Sequence, residues 1–556
     1  MARKLYILLL ACITLQLASC GTYNSVHHVP ETKGFNGTIP IVTKQSDSVF
    51  TSGNNFFLKN RQQQWELYVE GDPLERGLVT GALTQQQVLK QERLFFGKIK
   101  DIVPSKFKQQ LLRQFLKWYN RKLYLHVPEE YKTEIYGISK YVSDDYNDVA
   151  PPYLRSLYLH AAHDIGHALS DLALVGCTSF AAWGEKTSDG SLLLARNLDF
   201  YAGDEFAEDK IISFVRPDSG YPFVSVAWGG MAGVLSGMNL EGLTVTINAG
   251  KSDVPLIAKT PISILAREIL QYAKTIDEAV AIAKMREVFV AESIMVGSAR
   301  DGKAILIEVS PKKLGVYEVQ NTGRLICSNH FQSDTYRDDS NNISTKINSH
   351  SQYRFDRMTE LLEEESKLDP AKAAAIMRSR EGLNDLALGY GNEKAINQLL
   401  AHHSVIFKPE QRLIWISSNP YQLGEYTAYD LAEVFGKQVK DDVKKSMAKS
   451  ELNIPRDPFA DSQEFKDYEE FRKLDRVIDA AIAEQSALPA GFLKKYQSLN
   501  PEHWKVYYST GKYYYNRGYY SAAKAEFEKA LTKEITTLPS RHAIEEYLEK
   551  ITAKLR

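Results

Sequence analysis

A chain of 556 residues with 44% hydrophobic and 25% charged residues has an ordinary globular composition and is too long for one small core. Its net charge of -1 leaves no basic surplus, which argues against a nucleic-acid partner. Four cysteines in a chain of this size exclude a disulfide-built scaffold.

At the N-terminus, Arg3 and Lys4 precede an apolar run from Leu5 to Leu17 that is too short to span a bilayer. "LASC", Leu17 to Cys20, follows where a signal peptidase would cut. This segment resembles a bacterial lipobox. Residues 1–19 would then be a lipoprotein signal peptide, Cys20 would carry lipid, and the protein would sit in the bacterial cell envelope. The plainer alternative is an ordinary signal peptide. Residues 20–60 are polar and contain Gly and Pro, as a tether does. Cys12 leaves with the leader, so Cys177 and Cys327 remain, as one disulfide or as free thiols.

Residues 61–176 read as a helical pro-region. "TQQQVLKQERLFFGKIKDIV" and "PSKFKQQLLRQFLKWYNRKL" carry apolar residues at three- and four-residue spacing. "PPYLRSLYLHAAHDIGHALSDLALVG" reads as a helix with Pro at its start and Gly at its end. It sets His160, His163 and His167 on one helical face. Three histidines suit a catalytic zinc. No Glu follows the first His as in the H-E-x-x-H motif, so a packed or cleavage-assisting face is favoured and no metal is assigned.

After Gly176 the period changes to strands. "CTSFAAW" and "SLLLARNLDF" flank Asp189-Gly190, a hairpin signal. "FVSVAWGG", "GVLSGMN" and "LTVTINAG" continue the series. Two helices follow, the second with Thr275 and Glu278 spaced as a capping box. "ESIMVGSARDGKAILIEVS", "LGVYEVQ", "RLICSNHF" and "SVIFKPEQRLIWISS" return to strands. Strands, then helices, then strands predict an α+β layered domain over 177–440. Residues 441–556 turn Lys/Glu/Ala-rich and helical. Gly511, Tyr514, Gly518, Tyr520, Ala523, Phe527 and Ala530 stand at offsets that resemble one tetratricopeptide unit. A lone unit cannot cover its own apolar face, so it is expected to dock on the body.

Cys177 opens the first of these strands. A thiolate nucleophile needs a base, commonly His. If the Gly176–Cys177 bond were cut, the new α-amine, with a pKa of about 7.7–8.0, would be a base within the same residue. Gly176 lacks a Cβ, which lets the thiol approach its carbonyl.

"GCTSFAAWGEKTSDGSLLLARNLDF" resembles the nucleophile hairpin of the cysteine-type N-terminal nucleophile hydrolases. That family includes acyl-coenzyme A:6-aminopenicillanic acid acyltransferases, choloylglycine hydrolases and acid ceramidases. The resemblance implies a four-layer αββα fold, autocleavage between Gly176 and Cys177, and no cofactor. It places Asp199 on the α-amine and Arg196 on the thiolate. "GMNLEGLTVTINAG" implies Asn248 near an oxyanion, and "ICSNHF" implies Asn329 as an oxyanion-hole side chain. "SQYRFDR" implies a late active-site arginine, Arg354 or Arg357. "LYVEGDPLERGLVTGAL", with Glu75 and Gly77, resembles the opening segment of acyltransferase-like members.

The expected reaction is hydrolysis of an N-acyl amide through a Cys177 thioester. The substrate class would be N-acyl amino acids, bile-acid conjugates or lipid amides. The alternatives are acyl transfer from a thioester to an amine, or a non-catalytic surface scaffold whose helical C-terminal domain binds a protein partner. If a Cys–His pair operates instead, His160, His163, His167 and His330 are its candidates.

Overall fold

The structure is a computed structural model, and it describes residues 21–169, 175–201, 203–251, 255, 257–436 and 444–555. Residues 1–20, with the expected leader, Cys12 and the expected lipidation site Cys20, lie outside the described residues.

Residues 21–27 are helical (α1). Four strands follow: β1 (Thr43–Ser46), β2 (Val49–Ser52), β3 (Asn55–Lys59) and β4 (Trp65–Gly71). This corrects the reading of 20–60 as tether and of 61–176 as helical from its start. Phe57, Trp65, Leu67 and Val69 are buried on one face of these strands, and Phe56, Leu58 and Tyr68 on the other. A strand covered on both faces shows no polar alternation, so the period-2 signal is missing.

The remaining strands are β5 (Val175–Ala182), β6 (Leu193–Phe200), β7 (Ile211–Pro217), β8 (Phe223–Ala227), β9 (Ser236–Asn239), β10 (Leu243–Ala249), β11 (Glu292–Ser298), β12 (Lys303–Val309), β13 (Leu314–Tyr317), β14 (Arg324–Cys327), β15 (His403–Lys408), β16 (Leu413–Ser417) and β17 (Tyr426–Asp430). They form an eleven-stranded sheet ordered β1-β2-β3-β4-β7-β8-β9-β10-β11-β12-β13 and a six-stranded sheet ordered β14-β5-β6-β15-β16-β17. β4 and β7 pair in parallel, Trp65 opposite Ile211. The other pairings are antiparallel.

Three apolar layers hold this together. Between the sheets, Ala181, Leu194, Val405 and Phe407 pack with Val224, Val226, Met295 and Leu306. Full burial of such side chains stabilises by about 1.5–3 kcal/mol each. The helices before the Cys177 strand, α2 (Pro73–Leu83), α3 (Gln85–Ile102), α4 (Lys106–Tyr119), α5 (Leu123–His126), α6 (Glu129–Ile138) and α7 (Pro152–Leu169), join α8 (Ile262–Tyr272) and α9 (Ile276–Lys284) in the layer over the large sheet. Next come α10 (Ser340–Asn348), α11 (Ser351–Glu364) and α12 (Pro370–Met377). α11 and α12 cover the small sheet through Met358, Leu362, Ala373 and Met377. The order helix, sheet, sheet, helix is the expected αββα fold, and the helices between residues 73 and 169 form part of one of its layers.

The opening motif is explained by packing. Asp72 caps α2 by accepting from the amides of Leu74 and Glu75 at 2.9 and 3.0 Å. At Gly77 a Cβ would lie 2.1 Å from the carbonyl oxygen of Glu134, so α2 and α6 cross where only glycine fits.

After α13 (Leu431–Gly436), the C-terminal helices are α14 (Gln463–Glu484), α15 (Phe492–Leu499), α16 (Trp504–Asn516), α17 (Tyr520–Leu531) and α18 (Leu538–Leu555). Gly511 of α16 abuts the Phe527 ring of α17, where a Cβ would sit 2.8 Å from Cε1. The helices dock on the body: Phe465, Tyr468 and Phe471 share one cluster with Leu399 and Leu423.

Candidate active site

Register places Cys177. β5 and β6 pair with Cys177 opposite Leu198, Ser179 opposite Arg196 and Gly176 opposite Asp199. Directly opposed residues share a face of the sheet, and faces alternate along a strand. Cys177 and Arg196 therefore point to the inter-sheet side. Gly176, Thr178, Asn197 and Asp199 point to the helix-covered side.

On the first side, Arg196 Nη2 donates to Cys177 Sγ at 3.6 Å and to the Ile247 carbonyl at 2.5 Å. On the second, Arg354 Nη1 donates to the Cys177 carbonyl at 2.6 Å and to Thr178 Oγ1 at 2.5 Å, while its Nη2 donates to Asn329 Oδ1 at 2.5 Å. The same Asn329 oxygen accepts the Cys177 amide at 3.1 Å. The choice between the two late arginines is thereby resolved in placement. Arg357 is tied to Glu360 and Asp385, both at 2.7 Å, and makes none of these contacts.

Both asparagines meet the expected neighbourhood with their donors occupied. Asn329 Nδ2 donates to the Ala249 carbonyl at 2.9 Å. Asn248 Nδ2 donates to the carbonyls of Cys327 and Ser328 at 3.2 and 3.3 Å, and its Oδ1 accepts from Ser179 at 2.8 Å. In the uncut chain, an oxyanion role for either requires it to give up a carbonyl.

The electrostatics are those of a dry site. Burial pushes the Cys177 thiol up; Arg196 and Arg354 pull it down, against Asp199 and Glu292. Asp199 is fully buried, and neither carboxyl oxygen has a hydrogen-bond partner among the described residues. Burial pushes it up to about 8, with Arg354 and Arg196 opposing. Cys327 is a free, buried thiol facing the inter-sheet core, so it is not disulfide-linked to Cys177.

Sequence reasoning missed a chain of groups behind Arg196. Arg196 Nη1 donates to Ser236 Oγ at 2.7 Å, and Ser236 Oγ lies 2.9 Å from His403 Nε2. His403 Nδ1 lies 2.8 Å from His402 Nδ1. Arginine can only donate, so Ser236 gives its own proton to His403 Nε2. His403 then carries hydrogen on Nδ1 and donates it to His402. Burial holds both imidazoles well below the usual histidine range, hence neutral. The two adjacent histidines, "HHS", are the signal in the sequence that was available.

The other histidines are committed elsewhere. His160 Nε2 accepts the Ala232 amide at 2.8 Å and its Nδ1 lies 2.8 Å from the Ser156 carbonyl. Burial lowers it to about 4. Both its nitrogens are used, which removes it from a metal triad. The side chains of His163 and His167 lie outside the described residues. His330 Nδ1 lies 2.9 Å from Ser351 Oγ, and burial lowers it to about 3. A cleft of about 450 Å³ lies beside Gly176 and Asp199, with His350 and Gln398 on one wall and Tyr468 and Arg472 of α14 on the other.

Residues 185–420 match the family profile of acyl-coenzyme A:6-aminopenicillanic acid acyl-transferase. This segment is similar to that family. It holds Arg196, Asp199, Asn248, Asn329 and Arg354, and begins eight residues (185 − 177) after Cys177. A protein of Archaeoglobus fulgidus described as uncharacterized is 28% identical over 270 residues, 45% of this chain and 44% of its own. Protein dcd1B of Dictyostelium discoideum is 23% identical over 301 residues, 50% of this chain and 57% of its own. The chain thus spans about half the length of these curated relatives. Among solved structures, a Caenorhabditis elegans N-acylethanolamine-hydrolyzing acid amidase ortholog is 19% identical, covering 44% of this chain and 96% of its own, with a TM-score of 0.32. A mutant conjugated bile acid hydrolase of Clostridium perfringens is 16% identical, covering 49% and 97%, with a TM-score of 0.33.

Proposed function

We propose that the protein is an autoprocessed amide hydrolase whose nucleophile is Cys177. The observation that carries this reading is Asp199. A fully buried carboxyl with no hydrogen-bond partner sits directly across the β5–β6 ladder from Gly176. Leaving such a group unpaired costs free energy unless something pairs with it. An α-ammonium released at Cys177 is a group of the right charge at the right end of the strand.

The processing step conserves its atoms. The Cys177 sulfur attacks the Gly176 carbonyl carbon, the C–N bond breaks, and the nitrogen takes the thiol proton. Water then cleaves the thioester, leaving a Gly176 carboxylate, a free thiol and a free amine. In turnover, the neutral amine takes the thiol proton and the sulfur attacks the substrate amide. The resulting ammonium returns the proton to the leaving amine. Water releases the acid. Arg196 stabilises the thiolate, and Arg354 holds the Cys177 carbonyl and Asn329 in place.

The substrate we infer is a small acylated amide: an N-acyl amino acid, a bile-acid conjugate or a lipid amide. Acyl transfer to an amine uses the same thioester, with the amine replacing water. We further propose that Cys20 is lipidated and holds the protein on a membrane of the cell envelope. A panel of N-acyl amides incubated with purified protein, with and without an added acceptor amine, tests the activity. Release of free acid from at least one, lost in Cys177→Ala, is expected. No acyl release from any of them by processed protein contradicts it.

A further inference from the structure

We propose that α4 is a membrane-interface helix that lies on an anionic lipid surface. Three observations carry this, and only the third leans on the proposed lipidation of Cys20.

The first is an unpaired apolar stripe. Along α4, Phe107, Leu111 and Phe115 are 70%, 55% and 40% exposed, and Leu125 just beyond is 62% exposed. Phe107, Leu111 and Phe115 recur at four-residue spacing and so share one face. Within the helix, Tyr119 at the C-terminal end is the buried residue. It anchors α4 to the body, edge-on to Phe289 with its carbonyl accepting the Ala258 amide at 3.0 Å. Trp118 beside it packs half-buried against the same core, and exposure is greatest toward the N-terminal end, from Lys106 to Lys108.

The second is charge. Residues 102–127 hold six Lys and Arg and no Asp or Glu, in a chain whose net charge is -1. At about 100° per residue, Lys108 flanks the stripe on one side and Lys106 and Lys117 on the other. Arg113 is neutralised by Asp148. An apolar stripe bordered by lysines is what a helix lying in the headgroup region needs: the rings and Leu111 enter the acyl boundary while the lysines reach phosphates.

The third is position. The backbone of Gly21 lies against Arg121, two residues beyond α4; a Cβ on Gly21 would sit 3.4 Å from Arg121 Cδ. The residue that follows the lipobox cysteine is therefore at the end of this helix. A lipid on Cys20 and the α4 stripe would meet the same surface, which orients the molecule on it.

The test places a reporter on the helix. Full-length protein with Cys177→Ala and Leu111→Cys carries an environment-sensitive thiol dye, Cys327 being buried, and the same protein without Leu111→Cys, dyed in parallel, gives any background from Cys20. Val477→Cys, at a position 45% exposed on the C-terminal domain, is the control. On vesicles containing phosphatidylglycerol, the dye at 111 is expected to shift to the blue and to be quenched by brominated lipids, with no change at 477. The shift should weaken in high salt and on phosphatidylcholine alone. K106E/K108E/K117E should abolish it. If Cys20 is not lipidated, sedimentation with vesicles falls but the shift at 111 persists, so the two readings fail separately. A dye at 111 that remains water-exposed on vesicles to which the protein is bound overturns the proposal and turns the stripe toward a protein partner.

Discussion

Gly176 and Gln398 approach so closely that a Cβ at 176 would lie 2.4 Å from Gln398 Nε2, so a side chain there requires the glutamine to move. Gln398 is itself buried, and its Nε2 has no hydrogen-bond partner. The residue before the nucleophile is thus held by a neighbour in the cleft and not only by the ladder with Asp199.

Gly176→Ala should therefore stop or strongly slow cleavage. Overpacking of this kind costs about 1–3 kcal/mol. Gln398→Ala removes the clash, so the double variant should recover processing that Gly176→Ala alone has lost. The fragment ratio on a denaturing gel reads this directly. Equal processing in Gly176→Ala and wild type would mean that the contact is not constraining.

Asp199 predicts a pH dependence in the uncut chain. Its folded value, about 8, stands above the ordinary 3.8, so the folded state holds a proton that the unfolded state has lost. Stability from this group is present at low pH and falls as pH rises between about 4 and 8. In an uncleavable Cys177→Ala background, the melting temperature should decline through this window. Asp199→Asn should flatten that decline. A decline unchanged by Asp199→Asn would assign the titration to another group.

The two arginines of α11 should separate cleanly. Arg354→Ala loses a cation that holds Cys177, Thr178 and Asn329, and is expected to cut activity by about 10²-fold or more. Arg357→Ala loses ion pairs to Glu360 and Asp385 and a buried side chain, so it should lower the melting temperature while staying within about tenfold in activity. Initial rates and thermal melts of both variants decide it; a reversed ranking would contradict the placement.

Ser236 positions Arg196 and does not touch substrate. Ser236→Ala should shift the pH profile of Cys177 alkylation upward, because a less constrained guanidinium stabilises the thiolate less. Ser236→Thr keeps the hydroxyl and should restore the profile. An alkylation profile identical in Ser236→Ala and wild type would leave the hydroxyl with a packing role alone.

The hairpins were legible because each is local: β5–β6 turns at Asp189-Gly190 and β11–β12 at Asp301-Gly302, where glycine has positive φ. The Cys177, Arg196 and Asp199 pattern was legible for the same reason, since one hairpin brings them together. What was not legible is non-local. β1 to β4 enter the large sheet through a parallel pairing with β7 some 146 residues away (211 − 65), which no turn signals. Arg354 and Arg357 differ by three positions on one helix, and only its seating against β5 says which faces the nucleophile. The Ser236–His403 link joins β9 of one sheet to β15 of the other, and no sequence spacing encodes it.

The central claim is that Cys177 becomes the N-terminal residue of the active enzyme. N-terminal sequencing of the large fragment from active protein measures it. The expected reading is Cys-Thr-Ser-Phe, from a fragment running from Cys177 to Arg556 that co-purifies with the upstream piece. A fully active preparation that shows one uncleaved chain, or a large fragment starting at any other residue, would contradict it.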